Sequence, residues 1–481
     1  MSGLLLAACF PPFGWDTLVW FALIPLLWSL SGATPKQAVG RGYLMGLAFM
    51  GGVGLFTTSF GEGVIWMAVL PWALFTAIEA LWFIPIAVAL AAVLRRSRVA
   101  ILAGVPAIWA VAEWARGSGT YGFPFGGLST PAVATPVAQW ASIGGCYMVS
   151  AMVAFAGTAL FLLVRGDRAG RRAGIAGLIV VLLATGIGYG MSEWARAGAA
   201  DSDHQFGTVL CVQGDSNDAW SSAGGYRAFE AMRAATLKAG GGAGLIVWSE
   251  SSAPGAILAD PALLQRATDV PARLDAPLLT GAIGYGASGA PFNAAVLFGP
   301  DRSVAGIYRK RQLVPFGEFV PLRHVLPFLG DFGVVERDEE PGMKYEVLSA
   351  GDLRLGVPIC FESASPKAAR AFVREGANLL VVITNDAWFG RTGMAVQHLE
   401  AARLRAIETR RWVVRCGHTG ISALISPSGE VQESLPLGQA GTLSGTVGLR
   451  NDRTPYVRFG DWFVALCALA GAWAVGYGRK K

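Results

Sequence analysis

The sequence predicts a polytopic α-helical membrane bundle with one α/β domain inserted before its last helix. Three observations predict it. Hydrophobic residues make up 53% of the 481 positions and charged residues only 15%, against roughly one quarter charged in soluble domains. Apolar runs of helix length fill the first 194 positions and return at 461–477. From 206 the period changes to short β-branched runs separated by helical patterns, the pattern of α/β layers.

The apolar segments lie at about 3–12, 17–31, 42–60, 64–94, 99–113, 141–164, 173–191 and 461–477, which predicts eight helices. About 20 apolar residues span the hydrocarbon. Several segments reach that length, and 64–94 exceeds it, so it is expected to tilt strongly, to kink at Pro71 or Pro85, or to extend past the bilayer. The start lacks a basic n-region and a small-residue cleavage site, so no cleavable signal peptide is expected. Cations cluster in alternate connections: Lys36 and Arg41; Arg95, Arg96 and Arg98; Arg165, Arg168, Arg171 and Arg172; Arg479, Lys480 and Lys481. All fall on one side if both termini are cytoplasmic, which puts 195–460 on the outer face.

Charge divides accordingly. Residues 201–450 carry 23 Lys/Arg against 25 Asp/Glu, and the remainder 16 against 8. The surplus of cations therefore belongs to the membrane part and to its topology, and no nucleic-acid partner is expected. The predicted organisation is 1–194 for helices one to seven, 195–205 as linker, 206–450 as the inserted domain, and 451–481 as the last helix with its basic tail.

Within the insert, FGTVLCVQG, GLIVWSES, PLLTGAIGY, AAVLFGP, RLGVPICFE, NLLVVITND and RWVVRCGHTG read as strands. Positions 223–239, 260–273 and 393–411 read as helices, and SALISPSGEV as a hairpin. GAIGYG at 281–286 lacks the spacing and following helix of a dinucleotide fingerprint. Three of the six cysteines (Cys211, Cys360, Cys416) lie in this domain, so at least one is unpaired. No CxxC occurs, and the four histidines (204, 324, 398, 418) lack ligand spacing, so no metal is expected.

The candidate chemistry centres on Cys360, in VPICFESASP, at the end of the predicted strand 353–360. A lone thiol in apolar surroundings reads first as core; two other stretches change that reading. Glu250 ends GLIVWSE, where burial beside Trp248 would raise its pKa into the range of a general base. Lys310 follows VAGIY and offers a positive charge for an oxyanion, although its RKR triplet also reads as a solvated or headgroup-facing patch. The Phe361 N–H is the natural second oxyanion donor. Glu318, in PFGEF, either supports the site or caps a turn after Pro315. Trp388 and Phe389, in NDAWFG, read as core or as loop residues dipping into the bilayer. Glu79, inside FTAIEALWF, is a functional ionisable group, or else a carboxyl near a helix end or one paired inside the bundle. The loop GTYGFPFGGLSTP lines a lipid entrance or anchors at the interface.

Taken together, the WSE strand end, the Lys before LVPFGEFVPL and the Cys of PICFE resemble the catalytic triad of the nitrilase (carbon–nitrogen hydrolase) superfamily. The membrane frame, the GFPF loop and NDAWFG narrow the resemblance to the bacterial apolipoprotein N-acyltransferase family, over essentially the whole chain. The resemblance implies an αββα sandwich. It makes Glu250 the base, Lys310 the oxyanion stabiliser and Cys360 the nucleophile, with Glu318 and Glu362 as supporting carboxylates and Trp220 as a substrate-contacting tryptophan. It implies ping-pong acyl transfer without a cofactor, from a phospholipid donor to the α-amine of a diacylglyceryl lipoprotein, at the periplasmic side of the inner membrane. Two positions depart from the family: Phe361 lacks the frequent aromatic hydroxyl, and His418 in RCGHTG replaces an amide. Two rivals remain at this stage. One is a membrane-tethered amidase or nitrilase using water, the other a non-catalytic lipid-binding or transport protein.

Overall fold

The structure, a computed structural model, describes residues 1–61, 65–200, 205–215, 222–252, 257–323, 325, 337–390 and 392–476. Trp220 and the terminal cations 479–481 lie outside the described residues. Two compact units form. One comprises Met1–Trp194, Trp388–Glu408 and Thr454–Lys481; the other comprises Ala195–Ala387 and Thr409–Arg453.

All eight predicted apolar segments are helical over most of their described residues. Five helices are long and apolar enough to cross a membrane: Pro35–Ser59, Ala68–Val93, Arg98–Arg116, Cys146–Arg165 and Arg168–Gly198. Asp16–Leu30 and Trp462–Gly476 are shorter apolar helices, and Ser2–Ala8 has only two turns. The helix from Pro35 starts where its sequence demands. Thr34 accepts the Gln37 N–H, the Gln37 side chain accepts the Thr34 N–H, and Pro35 takes the first position, where its missing donor costs nothing. Segment 64–94 breaks between Ile65–Ala80 and Phe83–Val93. Pro71 stays inside the first helix; Pro85 sits in the first turn of the second, and its ring would collide with the carbonyl of Leu81 if the first helix continued.

Buried charge organises the helical unit. Glu79 lies at the end of its helix with Oε2 3.6 Å from Arg116 Nη1, so it is a paired carboxyl near a helix end. Arg116 also donates to the carbonyls of Phe123 (3.0 Å) and Phe125 (2.6 Å), clamping the GFPF loop. The Phe123 ring packs on Phe56, Phe75 and Phe125. Helix Met394–Thr409 contributes Leu404 and Ile407 to this unit's core.

The α/β unit holds twelve strands among the described residues: β1 Gln205–Gln213, β2 Ala243–Trp248, β3 Leu278–Tyr285, β4 Pro291–Phe298, β5 Val304–Arg309, β6 Leu348–Ala350, β7 Leu353–Gly356, β8 Leu379–Thr384, β9 Val413–Gly417, β10 Ser422–Ile425, β11 Val431–Leu435 and β12 Gly441–Gly448. They form two six-stranded sheets, ordered β12-β1-β2-β3-β4-β5 and β11-β10-β9-β8-β7-β6. Each has a parallel centre (β1-β2-β3; β7-β8-β9) and antiparallel edges. The sheets face one another: the Cys416 thiol on β9 lies 3.4 Å from the carbonyls of Val212 and Val247 on β1 and β2. Helices Ser222–Ala239 and Pro261–Leu274 cover the first sheet, burying Phe229, Met232, Leu263 and Val270 against Leu210, Ile246, Trp248 and Leu278. Each such side chain contributes roughly 1.5–3 kcal/mol by burial. This is the expected α/β class.

Two boundaries differ from expectation. The strand predicted over 353–360 ends at Gly356, because Pro358 has no N–H to give the ladder; only an isolated bridge from Ile359 to Ile383 continues the pairing. Glu250 does not end β2 but lies two residues beyond it. Both shifts place a candidate site residue on a turn.

Candidate active site

Cys360 opens a 3-10 turn, Cys360–Ala364, with φ near 50°. That left-handed conformation is costly for a side-chain-bearing residue. Ser251 (53°) and Phe316 (63°) share it, so strained backbone stands beside Glu250, before Glu318 and at Cys360. Strain of this kind concentrates where geometry is over-determined for function.

Glu250 is fixed from both sides. Its Oε1 accepts from Asn293 Nδ2 at 2.7 Å and its Oε2 from the Asn385 N–H at 2.7 Å. Gly281 allows β3 to approach: a Cβ there would lie 2.6 Å from the Glu250 Cα. Lys310 leaves β5 with its N–H bonded to the Asn293 carbonyl at 2.8 Å. Its Nζ lies 2.5 Å from Glu318 Oε1 and 3.6 Å from Glu250 Oε1. Glu318 Oε2 accepts the Val314 N–H at 2.9 Å, so this residue both closes a turn and engages the lysine.

Glu362 ties the thiol's turn to the lysine's. Fully buried, it accepts from the Tyr308 hydroxyl at 2.8 Å and from the N–H groups of Arg311 (2.8 Å), Gln312 (3.0 Å) and Ile359 (3.0 Å). One carboxylate thereby fixes the end of β5 against the entry to Cys360. Charge-assisted bonds of this kind are the strong ones.

The electrostatics follow from burial: Glu250 is 5% exposed, Lys310 1% and Cys360 6%. Burial raises the Cys360 thiol, the Glu250 carboxylate raises it further, and Lys310 opposes both, leaving it above its ordinary range. The thiol is therefore protonated at neutral pH, and a base would be needed to form the reactive thiolate. Burial also raises Glu250, with the Lys310 charge opposing. For Lys310, burial alone would lower the ammonium; Glu318 and Glu250 outweigh it and hold it well above its usual value. The site thus pairs a proton-bearing thiol, a carboxylate of raised basicity and a permanent cation, sufficient for acyl transfer through a thioester.

Of the residues singled out by sequence, Glu250, Lys310, Glu318, Cys360 and Glu362 form one connected network. Phe361 is buried in the same turn. Trp388 and Phe389 belong to the helical unit: the Phe389 ring packs on Phe56 and His398, and Ser59 Oγ donates to the Trp388 carbonyl at 2.9 Å. His418 lies beside the Glu250 turn, its Nδ1 3.3 Å from Ser249 Oγ. Sequence reasoning missed Asn293, Tyr308, Asn385 and Glu339. Asn293 had a readable signal, a lone amide in the apolar strand PFNAAVLF, because buried polar groups are there to be bonded. Glu339 had none: it sits in the acidic run ERDEE, which reads as solvated.

Comparison with known proteins adds the following. The family model "Carbon-nitrogen hydrolase" matches residues 208–451, and "Apolipoprotein N-acyltransferase N-terminal domain" matches residues 2–159. The chain is 32% identical to the apolipoprotein N-acyltransferase of Geobacter metallireducens, over 100% of this chain and 95% of that one. It is 31% identical to that of Azotobacter vinelandii, over 98% and 93%, and 30% identical to that of Methylococcus capsulatus, over 100% and 95%. Among solved structures, a carbon-nitrogen hydrolase from Helicobacter pylori G27 is similar at a TM-score of 0.40 and 18% identity, over 55% of this chain and 95% of that one.

Proposed function

The chain belongs to the apolipoprotein N-acyltransferase family, and on that premise we propose that it moves a phospholipid acyl chain through Cys360 to the α-amine of an S-diacylglyceryl-cysteine lipoprotein. It is a bacterial membrane protein acting on lipid and lipoprotein. The alternating Lys/Arg connections favour an inner-membrane orientation with both termini cytoplasmic and the α/β unit on the periplasmic side.

The observation that carries the chemistry is the buried Glu250–Lys310–Glu318 network beside the strained Cys360 turn. In the first half-reaction Glu250 takes the thiol proton as sulfur attacks the ester carbonyl. The developing oxyanion is stabilised by Lys310 and the Phe361 N–H. Collapse breaks the ester C–O bond, and the departing lysophospholipid oxygen takes the proton back from Glu250. In the second half-reaction the acceptor nitrogen attacks the thioester, and Cys360 leaves as thiol. Trp388 and Phe389, half-buried beside an aromatic cluster, are proposed to meet the acyl chains, and Trp220 is proposed as a further substrate contact.

The test is full turnover with acyl-labelled phospholipid and a diacylglyceryl-cysteine peptide. Label on the peptide α-amine is expected. Label recovered as free fatty acid, with none on the peptide, would instead indicate a hydrolase using water.

A further inference from the structure

Strand β8 ends in a short polar segment, Thr384, Asn385 and Asp386. Asn385 holds Glu250 through its N–H. Thr384 and Asp386, both fully buried, make a second set of connections. The Thr384 hydroxyl donates to Asp386 Oδ1 at 3.0 Å. Asp386 Oδ2 meets Arg415 Nη2, on β9, at 2.7 Å, and neither side chain of that pair is exposed. Arg415 is fixed in turn by the Ile421 carbonyl, 3.0 Å from its Nε. A buried ion pair adds little net stability over apolar packing, so its place at the end of β8 calls for a local reason.

That reason is the neighbouring thiol. The isolated parallel bridge between Ile359 and Ile383 sets the two chains side by side, and the residues that follow are Cys360 and Thr384. The Thr384 side chain hydrogen-bonds the Cys360 thiol, a contact that favours the thiolate. The charged groups facing the sulfur are Glu250, Lys310 and Asp386. Of these only Lys310 favours a sulfur anion, and its ammonium is already shared by two carboxylates. A thiolate in this buried place therefore gains from a further donor. A hydroxyl carries one proton and two acceptor lone pairs, so it can serve a thiol and a thiolate in turn.

Resting on the acyl-transfer reading above, we propose that the Thr384 hydroxyl is a two-position donor that follows the charge on the Cys360 sulfur. While sulfur is a thiol or a thioester, the hydroxyl proton points at Asp386. When Glu250 removes the thiol proton, the hydroxyl turns and donates to sulfur. As sulfur bonds to the ester carbon, its charge passes to the carbonyl oxygen and the hydroxyl returns to Asp386. The same turn stabilises sulfur as the C–S bond breaks in the second half-reaction, before Glu250 gives the proton back. Thr384 itself neither gains nor loses a proton. Arg415 keeps Asp386 paired throughout, so the carboxylate can release the hydroxyl without becoming an uncompensated buried charge.

The test is alkylation of Cys360 by iodoacetamide in the full chain at pH 8, located by peptide mapping. A hydrogen bond to a charged group changes the thiolate population by about tenfold to a hundredfold. A less basic thiolate is also a weaker nucleophile, so Thr384→Val is expected to slow alkylation by about three- to tenfold. Thr384→Ser keeps the hydroxyl and should stay within about twofold of the unaltered chain. Thermal unfolding in detergent checks that each variant is folded. Thr384→Ala, which also lacks the hydroxyl, carries the same expectation where the valine variant does not fold. A folded variant without the hydroxyl that alkylates at the unaltered rate, or a serine variant as slow as the valine one, would overturn the proposal. Single-turnover acylation by phospholipid should rank the variants in the same order. Alkylation needs no lipid, so the two readings fail separately. If the unaltered chain alkylates at Cys360 yet forms no acyl-enzyme, the acyl-transfer reading fails while the alkylation comparison still decides the role of Thr384.

Discussion

In the helical unit each buried carboxylate has its own partners. Glu408 meets Arg405 at 2.8 Å and accepts the Cys146 N–H. Glu113 accepts the Trp109 indole N–H and the Leu128 N–H, and Glu79 faces Arg116. In the α/β unit Glu250 and Glu318 instead share the single ammonium of Lys310. Matched charges fix geometry: removing one partner strands the other, at a cost of about 3–5 kcal/mol. An unmatched cluster holds mobile protons, which acyl transfer requires. Glu362 shows the same contrast within one unit, since its three backbone donors and one hydroxyl leave it a purely architectural carboxylate.

That contrast can be broken at several points. Lys310→Met should have the largest effect, lowering the single-turnover rate of lysophospholipid release about 10³-fold, because the oxyanion loses its cation. Glu250→Gln should follow, slowing acylation by about 10²-fold or more; an unchanged rate would remove Glu250 as the base. As the proposed base, Glu250 can accept the thiol proton only when ionised, and burial holds it above its ordinary 4.5. Acylation should therefore fall as pH drops through a midpoint above that value. The Asn293 amide favours the ionised form, so Asn293→Ala should move this acid limb to higher pH. Tyr308→Phe removes one of Glu362's donors while three N–H groups remain. It should slow acylation only a fewfold and lower unfolding stability by about 1.5–3 kcal/mol. Arg405→Met should have the smallest effect on rate per folded molecule, under about twofold, yet destabilise the helical unit by roughly 3–5 kcal/mol, read by thermal unfolding in detergent.

Much of this was legible in the sequence because strong local signals carried it. Apolar length marked the helices, short β-branched runs marked β1 to β5 and β7 to β9, and PSG marked the β10–β11 turn. The residues meeting at the site came from the ends of such runs, where an α/β fold exposes side chains. The exceptions share a physical cause. The break before Phe83, rather than at Pro71, depends on how neighbouring helices accommodate each proline. Helix Met394–Thr409 reads as a domain helix because its grouping with the helical unit depends on contacts far apart in sequence, such as the Glu408 bond to Cys146. Glu339 looks solvated in its acidic run, yet its N–H bonds the Glu318 carbonyl across a separation that sequence does not reveal. Gly281 is quiet in sequence, yet it sets how closely β3 approaches Glu250.

The central claim is that the unmatched cluster serves Cys360. Its most direct test is intact mass spectrometry of the full chain after mixing with phospholipid and acid quenching, followed by peptide mapping. One acyl mass should appear on the peptide containing Cys360, labile to hydroxylamine, and be absent from Cys360→Ala. An acyl mass on another residue, or lysophospholipid release with no adduct at Cys360 in rapidly quenched single-turnover samples, would contradict it.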